Sequence, residues 1–340
     1  MVPKMRAAQV SQAGGEFEII EREIPQPKKN EVLIKVEACG VCHSDVFVKE
    51  GLFPGMEFPR IPGHEVVGRI EQFDDSVSAF KTGQRVGIGW HGGHCFQCDS
   101  CREGDFVTCE STKITGIHFD GGYAEYMVAP AEGLALVPTS LSSVEAAPLL
   151  CAGITTYNAL RNSNARGGDT VVVHGIGGLG HLGLQFASKL GFKTIAVSRG
   201  TDKKELALKL GAYEYIDTDQ NDPVEELVKM GGAKVILATA PNSKAIASLI
   251  NALGANGQLL VIAATAEPME ISPVQLIGRC KEIKGWSSGH AKDSEDTLNF
   301  SALSNIRPMV ETFPLSRVNE AYQTMMENKA RFRTVLTMDE

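Results

Sequence analysis

Residues 170–190 read TVVVHGIGGLGHLGLQFASKL, and this segment is the most informative one for the fold of the second half of the chain. The β-branched run from Thr170 to His174 predicts a strand, and the apolar run from Leu179 to Leu190 predicts a helix. The turn between them matches G-x-G-x-x-G in the strand–turn–helix context that makes this motif specific. We expect a dinucleotide pyrophosphate to bind at this turn, at the N-terminus of the helix; a glycine turn that only packs helix on sheet is the alternative. The residues expected to contact the cofactor are Gly175, Gly177, Gly178, Leu179 and Gly180.

Alternating strands and helices continue outward from this motif. They predict an α/β fold with a doubly wound parallel sheet of the Rossmann type, because such alternation places helices on both faces of one sheet. Before about residue 150 the chain has short β-branched runs, such as 32–36 and 66–70, broken by Gly and Pro, which predicts a mostly-β domain. The residues after 287 mix strand-like and helix-like sequence patterns. Further predicted elements are strands at 194–197, 235–238, 259–263 and 334–337 and a helix at 203–210.

The strand after the glycine motif decides between NAD and NADP. In an NAD site its tip carries Asp or Glu, which binds the ribose 2′-hydroxyl and repels a 2′-phosphate. In this chain the tip is Ser198-Arg199-Gly200, followed by Lys203, and it has no carboxylate. A hydroxyl, a guanidinium and an ammonium group suit a phosphate, so NADP is favoured over NAD. A solvated helix start is the alternative for these cations, and Asp202 counts against a phosphate site.

Four cysteines lie within a short segment of the first domain and follow the pattern C-x2-C-x2-C-x7-C. Four thiolates at this spacing predict a closed, structural zinc site; disulfides are the alternative. With 43% apolar residues the chain can build its cores without disulfides. Residues 1–6 do not have the pattern of a secretory signal, so we expect a cytoplasmic protein with reduced thiols. The four residues are Cys95, Cys98, Cys101 and Cys109.

Length and charge limit the function. A chain of 340 residues suits two domains. A net charge of -8 argues against binding to nucleic acid or to anionic membranes. No apolar run approaches the roughly 18 to 20 residues of a membrane span. The expected partner is therefore a small molecule, not a nucleic acid or a membrane.

Several other residues are candidate ligands for a second metal ion. A catalytic zinc needs three protein ligands and one open position, and spacing alone does not select them. Cys39 and Cys42 form a C-x-x-C pair, but no thioredoxin-like pattern surrounds it, so a redox pair is not expected. Taken singly, such residues are more often buried thiols or hydrogen-bonded histidines, and Cys280 is expected to be a buried thiol. The candidates are Cys39, Cys42, His43, His64, Glu65, Cys151 and Cys280.

Four motifs, with the cysteine lobe and the glycine turn, make the chain resemble the zinc-dependent medium-chain alcohol dehydrogenases nearly end to end. The resemblance implies a GroES-like catalytic domain interrupted by a Rossmann domain. It places the catalytic domain at 1–150 with the zinc lobe at about 90–112, the Rossmann domain at 151–287, and a return to the catalytic domain at 288–340. The motifs are CGVCHSD at 39–45, PGHEVVG at 62–68, DGGYAEY at 120–126 and CAGITTY at 151–157.

The resemblance also implies a role for each matching residue. A catalytic zinc would be held by Cys42, His64 and Cys151, which gives two zinc ions per chain. Glu65 would lie just behind this metal and could approach it during ligand exchange, and Asp45 would orient His64. The zinc would lower the pKa of a bound alcohol, whose alkoxide passes a hydride to the nicotinamide C4.

Further implied contacts concern the substrate and the cofactor. Ser44 would take the proton of the alcohol, Thr155 would pack on the nicotinamide, and His43 and Arg333 would contact the pyrophosphate. Trp90 matches an aromatic that narrows the pocket in relatives acting on primary alcohols. Other aromatic residues that could line this pocket, although single aromatics are more often core residues, are His91, His118, Phe119 and Trp286.

The expected activity is reversible hydride transfer between a primary alcohol or aldehyde and NAD(P), with NADPH suited to an aldehyde-reducing member. A polyol, sugar or formaldehyde dehydrogenase of the same superfamily is the alternative. A non-catalytic dinucleotide-binding protein is a more remote one, which the full ligand set argues against. The family resemblance implies a homo-tetramer, with a dimer as the alternative.

One position departs from the family. Many relatives have a histidine two residues after Asp45, at the end of the proton relay, and this chain has Phe47 there. Phenylalanine cannot carry a proton, so Ser44 passes its proton either to the cofactor ribose and water or to His43. We expect Phe47→His to change the pH dependence of turnover, because an imidazole titrates near pH 6.5. Superimposable pH–rate profiles of the two enzymes would contradict this.

Overall fold

The computed structural model describes residues 3–338, which form two compact units. The first unit runs to Ile154 and resumes at Ser288, and the second is Thr155–Ser287. No helix within the described residues is long and apolar enough to cross a membrane.

The first unit is rich in strands, whereas the second alternates strands with helices. In chain order, the strands are β1 Lys4–Val10, β2 Phe17–Glu23, β3 Glu31–Val41, β4 Val66–Phe73, β5 Arg85–Ile88, β6 His91–Gly93, β7 Lys113–Ile114, β8 Tyr126–Pro130, β9 Ala135–Leu136, β10 Thr170–His174, β11 Lys193–Ser198, β12 Glu214–Asp217, β13 Ala233–Ala238, β14 Leu253–Val261, β15 Glu282–Gly285, β16 Val310–Pro314 and β17 Arg333–Thr337. The α-helices are α1 Val46–Lys49, α2 Asp99–Arg102, α3 Ser143–Ala146, α4 Ala152–Arg161, α5 Gly180–Lys189, α6 Lys204–Lys209, α7 Pro223–Lys229, α8 Ser243–Ser248, α9 Pro273–Ile277, α10 Ala291–Ser304 and α11 Val318–Met326.

The first unit is built around a mixed sheet in the order β16-β17-β3-β4-β5-β9, with β8 also paired to β3. Strand β3 is its centre, and its apolar side chains, among them Val32, Ile34 and Val36, lie in the main core of this unit. The far end of β3 pairs antiparallel with both neighbours, Cys39 with Val66 of β4 and Val41 with Thr334 of β17. The residues that follow β3, precede β4 and begin β17 therefore meet at one edge of the sheet.

The second unit is a six-stranded sheet in the order β12-β11-β10-β13-β14-β15, with every neighbouring pair parallel. Numbered from β10 as the first strand, this is the Rossmann order 3-2-1-4-5-6. The strand order reverses at β10, where such folds open a crevice at the carboxyl ends of the strands. The glycine motif lies there, between β10 and α5, and the predicted α/β fold with a doubly wound sheet is confirmed.

The expectation for Cys280 is wrong. Its side chain is exposed, in the turn between α9 and β15, where its backbone takes a positive φ of 51°. The N–H of Cys280 donates to the carbonyl of Ile277 at 3.4 Å, which closes this turn. Cysteine is one of the residue types that are most often buried, but the geometry of the turn places Cys280 at the surface.

Candidate metal centres and cofactor site

Four candidate ligands come together at the edge where β3, β4 and β17 meet. Cys42 directly follows β3, His64 and Glu65 directly precede β4, and Cys151 follows a 3-10 turn at residues 147–150. One ligand atom from each lies within 4.8 Å of the others, and the sulfurs of Cys42 and Cys151 are 3.7 Å apart. The cluster is buried, apart from partial exposure of Cys151. Two thiols and an imidazole are donors that zinc prefers, so the residue set fits this metal.

The carboxylate of Asp45, which is fully buried, organises this cluster. Its Oδ2 accepts hydrogen bonds from the N–H of Cys42 at 2.8 Å and the hydroxyl of Tyr123 at 2.7 Å. Its Oδ1 lies 3.1 Å from Nδ1 of His64. The other ring nitrogen, Nε2, is buried and has no hydrogen-bond partner among the described residues. A histidine held in this way at Nδ1 presents Nε2 to a metal.

Neighbouring charges shift the pKa values of the residues in this cluster. Burial alone lowers the pKa of His64, but Asp45 and Cys42 raise it well above its ordinary value. The hydrogen bond from Cys151 is the main cause that lowers the pKa of the Cys42 thiol, and the charges of His64 and Arg333 lower it further. The site therefore favours the thiolate of Cys42, which is the form of cysteine that binds a metal ion.

Glu65, one of the four residues of the cluster, forms a buried ion pair with Arg333. Burial raises the pKa of Glu65 to about 7, although the guanidinium opposes this shift. Oε2 of Glu65 has no hydrogen-bond partner in the described part of the chain. A Cβ on Gly40 would lie 2.8 Å from Cδ of Glu65, so glycine at this position leaves room for the carboxylate. Arg333, which the resemblance assigns to the pyrophosphate, is held in this pair by a carboxylate and is only 7% exposed.

Trp90 lies against the cluster, with its ring edge-on to His64 and the centroids 5.0 Å apart. Phe47 packs edge-on against Trp90 at 6.5 Å. Ser44 is half-buried and His43 exposed in the 3-10 turn that follows Cys42. Thr155 is buried in α4.

The other aromatic candidates are explained by local packing or hydrogen bonds. His91 is buried, with Nε2 3.1 Å from the carbonyl of Phe106, and burial lowers its pKa to about 4. His118 accepts the N–H of Ile114 through Nδ1 at 2.8 Å. Phe119 packs on the main core of the first unit. In the second unit the ammonium of Lys284 lies 4.8 Å from the ring of Trp286.

The four cysteines of the lobe also converge, with one sulfur from each within 4.8 Å of the others. Backbone N–H groups point at these sulfurs: those of Gln97 and Cys98 donate to Cys95 at 3.4 Å, and those of Cys95 and Ser111 donate to Cys109 at 3.3 Å. The bonds to Cys95 lower its pKa to about 6, which favours the thiolate. The donor set fits a tetrahedral zinc ion.

The glycine motif has two kinds of glycine. Gly175 has φ +93°, and a Cβ there would lie 2.8 Å from that of Ala240; a Cβ on Gly180 would collide with the carbonyl of Gly175. These two glycines are required for packing. Gly177 is exposed, and within residues 3–338 no atom lies within 4 Å of where its Cβ would be. A pyrophosphate can therefore approach the backbone at Gly177. Gly178 and Leu179, both half-buried, complete the turn before α5.

The tip of β11 is held by a residue that sequence reasoning missed. Asp217, at the end of β12, accepts the N–H of Gly200 at 2.8 Å. The Asp217 carboxylate is therefore engaged by a backbone N–H. The sequence feature that could have identified this role is an acidic residue at the end of the strand next to β11. Ser198 is half-buried and Arg199 exposed at the tip. The ammonium of Lys203 donates to the carbonyl of Ile176 in the glycine turn at 2.8 Å.

Two family models match the chain, the alcohol dehydrogenase GroES-like domain over residues 28–139 and the zinc-binding dehydrogenase domain over residues 178–303. Alcohol dehydrogenase patD of Penicillium expansum is 44% identical over 333 residues, which is 98% of this chain and 97% of that protein. The structure of an NAD-dependent alcohol dehydrogenase matches with a TM-score of 0.91 at 26% identity, covering 98% of this chain and 100% of the other. That of CAD from Helicobacter pylori complexed with NADP(H) matches with a TM-score of 0.86 at 27% identity, covering 99% of each.

The two kinds of glycine predict different effects of an added methyl group. Gly175→Ala should destabilise the second unit by about 1 to 3 kcal/mol, because alanine there adds both strain and overlap. Gly177→Ala should leave the free energy of unfolding nearly unchanged but weaken binding of the dinucleotide. Denaturant unfolding and cofactor titration of both variants would check this. Equal destabilisation by the two, or unimpaired cofactor binding by Gly177→Ala, would contradict it.

Proposed function

The chain belongs to the zinc-dependent medium-chain alcohol dehydrogenase family, and we propose that it interconverts primary alcohols and aldehydes with NADP at a metal centre held by Cys42, His64 and Cys151. The observation that supports this most directly is Nε2 of His64, which is buried beside two sulfurs without a partner in the described chain. A purely structural histidine would use this nitrogen in a hydrogen bond.

The chemistry divides between bound groups and the chain itself. Zinc at this centre would act as a Lewis acid on the substrate oxygen, and the nicotinamide would exchange a hydride with the substrate carbon. Three protein ligands leave one position for the substrate. Glu65 is proposed to stand behind the metal, held by Arg333, and Trp90 to restrict the pocket to primary alcohols and their aldehydes.

Proton transfer is assigned to Ser44. Its hydroxyl would take the proton of the alcohol during oxidation and return it during reduction. Phe47 cannot extend this path, and it packs against Trp90. His43 is exposed one residue away, so it or the cofactor ribose can pass the proton to water.

NADP is proposed as the cofactor over NAD. Ser198, Arg199 and Lys203 would surround its 2′-phosphate, and Asp217 is occupied by backbone N–H groups. The glycine turn would take the pyrophosphate, and Thr155 would lie against the nicotinamide. One matched structure is named NAD-dependent and another is complexed with NADP(H), so the preference is argued from this chain alone.

The remaining proposals concern the second metal ion, the domains, the cellular compartment and the assembly. The cysteine lobe holds a second zinc ion, in keeping with the N–H groups that donate to its sulfurs. The domains are assigned as 1–150, 151–287 and 288–340, and the protein is proposed to be cytoplasmic. A homo-tetramer is proposed as the assembly.

The cofactor proposal predicts that benzaldehyde and butanal are reduced faster with NADPH than with NADH. Arg199→Ala should lower kcat/KM for NADPH about 10- to 100-fold and leave that for NADH nearly unchanged, because a hydrogen bond to a charged group contributes about 1.5 to 3 kcal/mol. Lys209→Ala, which removes an equal charge at the C-terminal end of α6, is the matched control and should change neither value. A preference of the wild type for NADH would show that the strand-tip interpretation is wrong.

The metal proposal predicts two zinc ions per chain by elemental analysis. Cys151→Ser should remove one of them and lower kcat/KM at least about 100-fold, because a Lewis acid contributes several kcal/mol to such a reaction. Cys280→Ser, at an exposed thiol, is the control and should keep both ions and full activity. A wild type with one zinc ion or none would instead support a non-catalytic dinucleotide-binding protein.

A further inference from the structure

We propose that Tyr123 is a positioning residue for the metal centre: its hydroxyl fixes the carboxylate of Asp45, and through that carboxylate it aligns His64 and Cys42. This inference rests on the proposed function, since it concerns the same centre. The hydroxyl of Tyr123 donates to Oδ2 of Asp45 at 2.7 Å, and both side chains are 0% exposed.

The orientation of Asp45 matters because one carboxylate touches two of the three ligand residues. Oδ2 accepts the N–H of Cys42 at 2.8 Å, and Oδ1 lies 3.1 Å from Nδ1 of His64. The terminal torsion of an aspartate is broad, so one backbone hydrogen bond does not fix the plane of its carboxylate. The bond from Tyr123 adds a second donor to Oδ2, from a distant part of the chain. The two donors together hold Oδ1 towards His64.

Tyr123 is itself held rigidly. Its N–H donates to the carbonyl of Pro62 at 3.0 Å, and its carbonyl accepts the N–H of Ala8 at 2.7 Å. The ring of Phe17 packs edge-on against its ring at 5.9 Å. Gly63, with φ +99°, leaves space for the ring, because a Cβ there would lie 2.8 Å from Cε1 of Tyr123. A group held by two backbone hydrogen bonds and a ring contact can impose its position on a neighbour.

The hydroxyl of Tyr123, rather than its ring, indicates the positioning role. A phenylalanine would fill the same volume in this core, whereas a buried hydroxyl is costly unless it is hydrogen-bonded. The partner of this hydroxyl is a carboxylate, and a bond to a charged acceptor is stronger than one between neutral groups. Burial raises the pKa of Tyr123 well above its ordinary value, and the charge of Asp45 raises it further, so the hydroxyl stays a donor.

The experiment compares Tyr123→Phe with Tyr126→Phe in the full-length zinc enzyme. Tyr126, three residues further on in β8, is half-buried, so it controls for loss of a hydroxyl. Competition with a chelator would give the zinc affinity, and the cysteine lobe provides an internal reference in the same molecule. We expect Tyr123→Phe to weaken the Cys42–His64–Cys151 site about 10- to 100-fold, the range for such supporting partners. Tyr126→Phe should leave both sites unchanged.

A double-mutant cycle with Asp45→Ala, which removes the acceptor of this hydrogen bond, tests whether Tyr123 acts through Asp45. If it does, the double variant should lose no more affinity than Asp45→Ala alone. The absorption spectrum of the cobalt-substituted site should also change in Tyr123→Phe, which altered packing elsewhere would not cause. Wild-type affinity and spectrum in Tyr123→Phe, or strictly additive losses, would overturn the inference. A wild type whose only zinc is in the lobe would overturn the proposed function as well.

Discussion

The antiparallel pairing of β3 with β4 and β17 is the constraint on which the metal centre depends. Cys39 pairs with Val66 and Val41 with Thr334, so the register of three strands fixes where the next residues emerge. A slip of one residue would turn every side chain of a strand to the opposite face. The strand register thus sets the distance between Cys42 and the residues before β4, and no local motif could do so alone.

Buried charge is the second constraint, because each ionised group must be compensated where water is absent. Asp45 receives two hydrogen bonds at one oxygen, and Glu65 has the guanidinium of Arg333. Among the two thiols, the pKa of Cys42 is lowered and that of Cys151 is raised, so the negative charge lies on Cys42. Replacing Arg333 would leave Glu65 buried without its partner, a change that typically costs about 3 to 5 kcal/mol. The ion pair therefore keeps a carboxylate beside a site that already attracts cations.

Sequence patterns predict the structure best where the interacting residues are adjacent in the chain. The strand from Thr170 to His174 and the glycine turn were predicted within a residue or two of β10 and α5, since strand, turn and helix are adjacent in the chain. Spacing alone did not select Cys42, His64 and Cys151, because they are brought together by long-range strand pairing. The hydrogen bond of Tyr123 to Asp45 spans 78 residues and has no local signature. The bond of Asp217 to the tip of β11 likewise joins neighbouring strands, whereas Cys280 is at the surface because of its own local turn.

The two units present opposite electrostatic surroundings to their proposed ligands. In the first, negative groups are buried, so a cation is attracted at short range and with little screening by salt. In the second, Arg199 is exposed at the strand tip, and the glycine turn offers backbone N–H groups to an anion. A chain of net charge -8 repels a polyanion at long range, so attraction of a phosphorylated cofactor has to be local. The exposed guanidinium of Arg199 is hydrated until a phosphate binds, so its contribution to cofactor affinity should fall as ionic strength rises. The contribution of the buried ligands to metal affinity should not fall in this way.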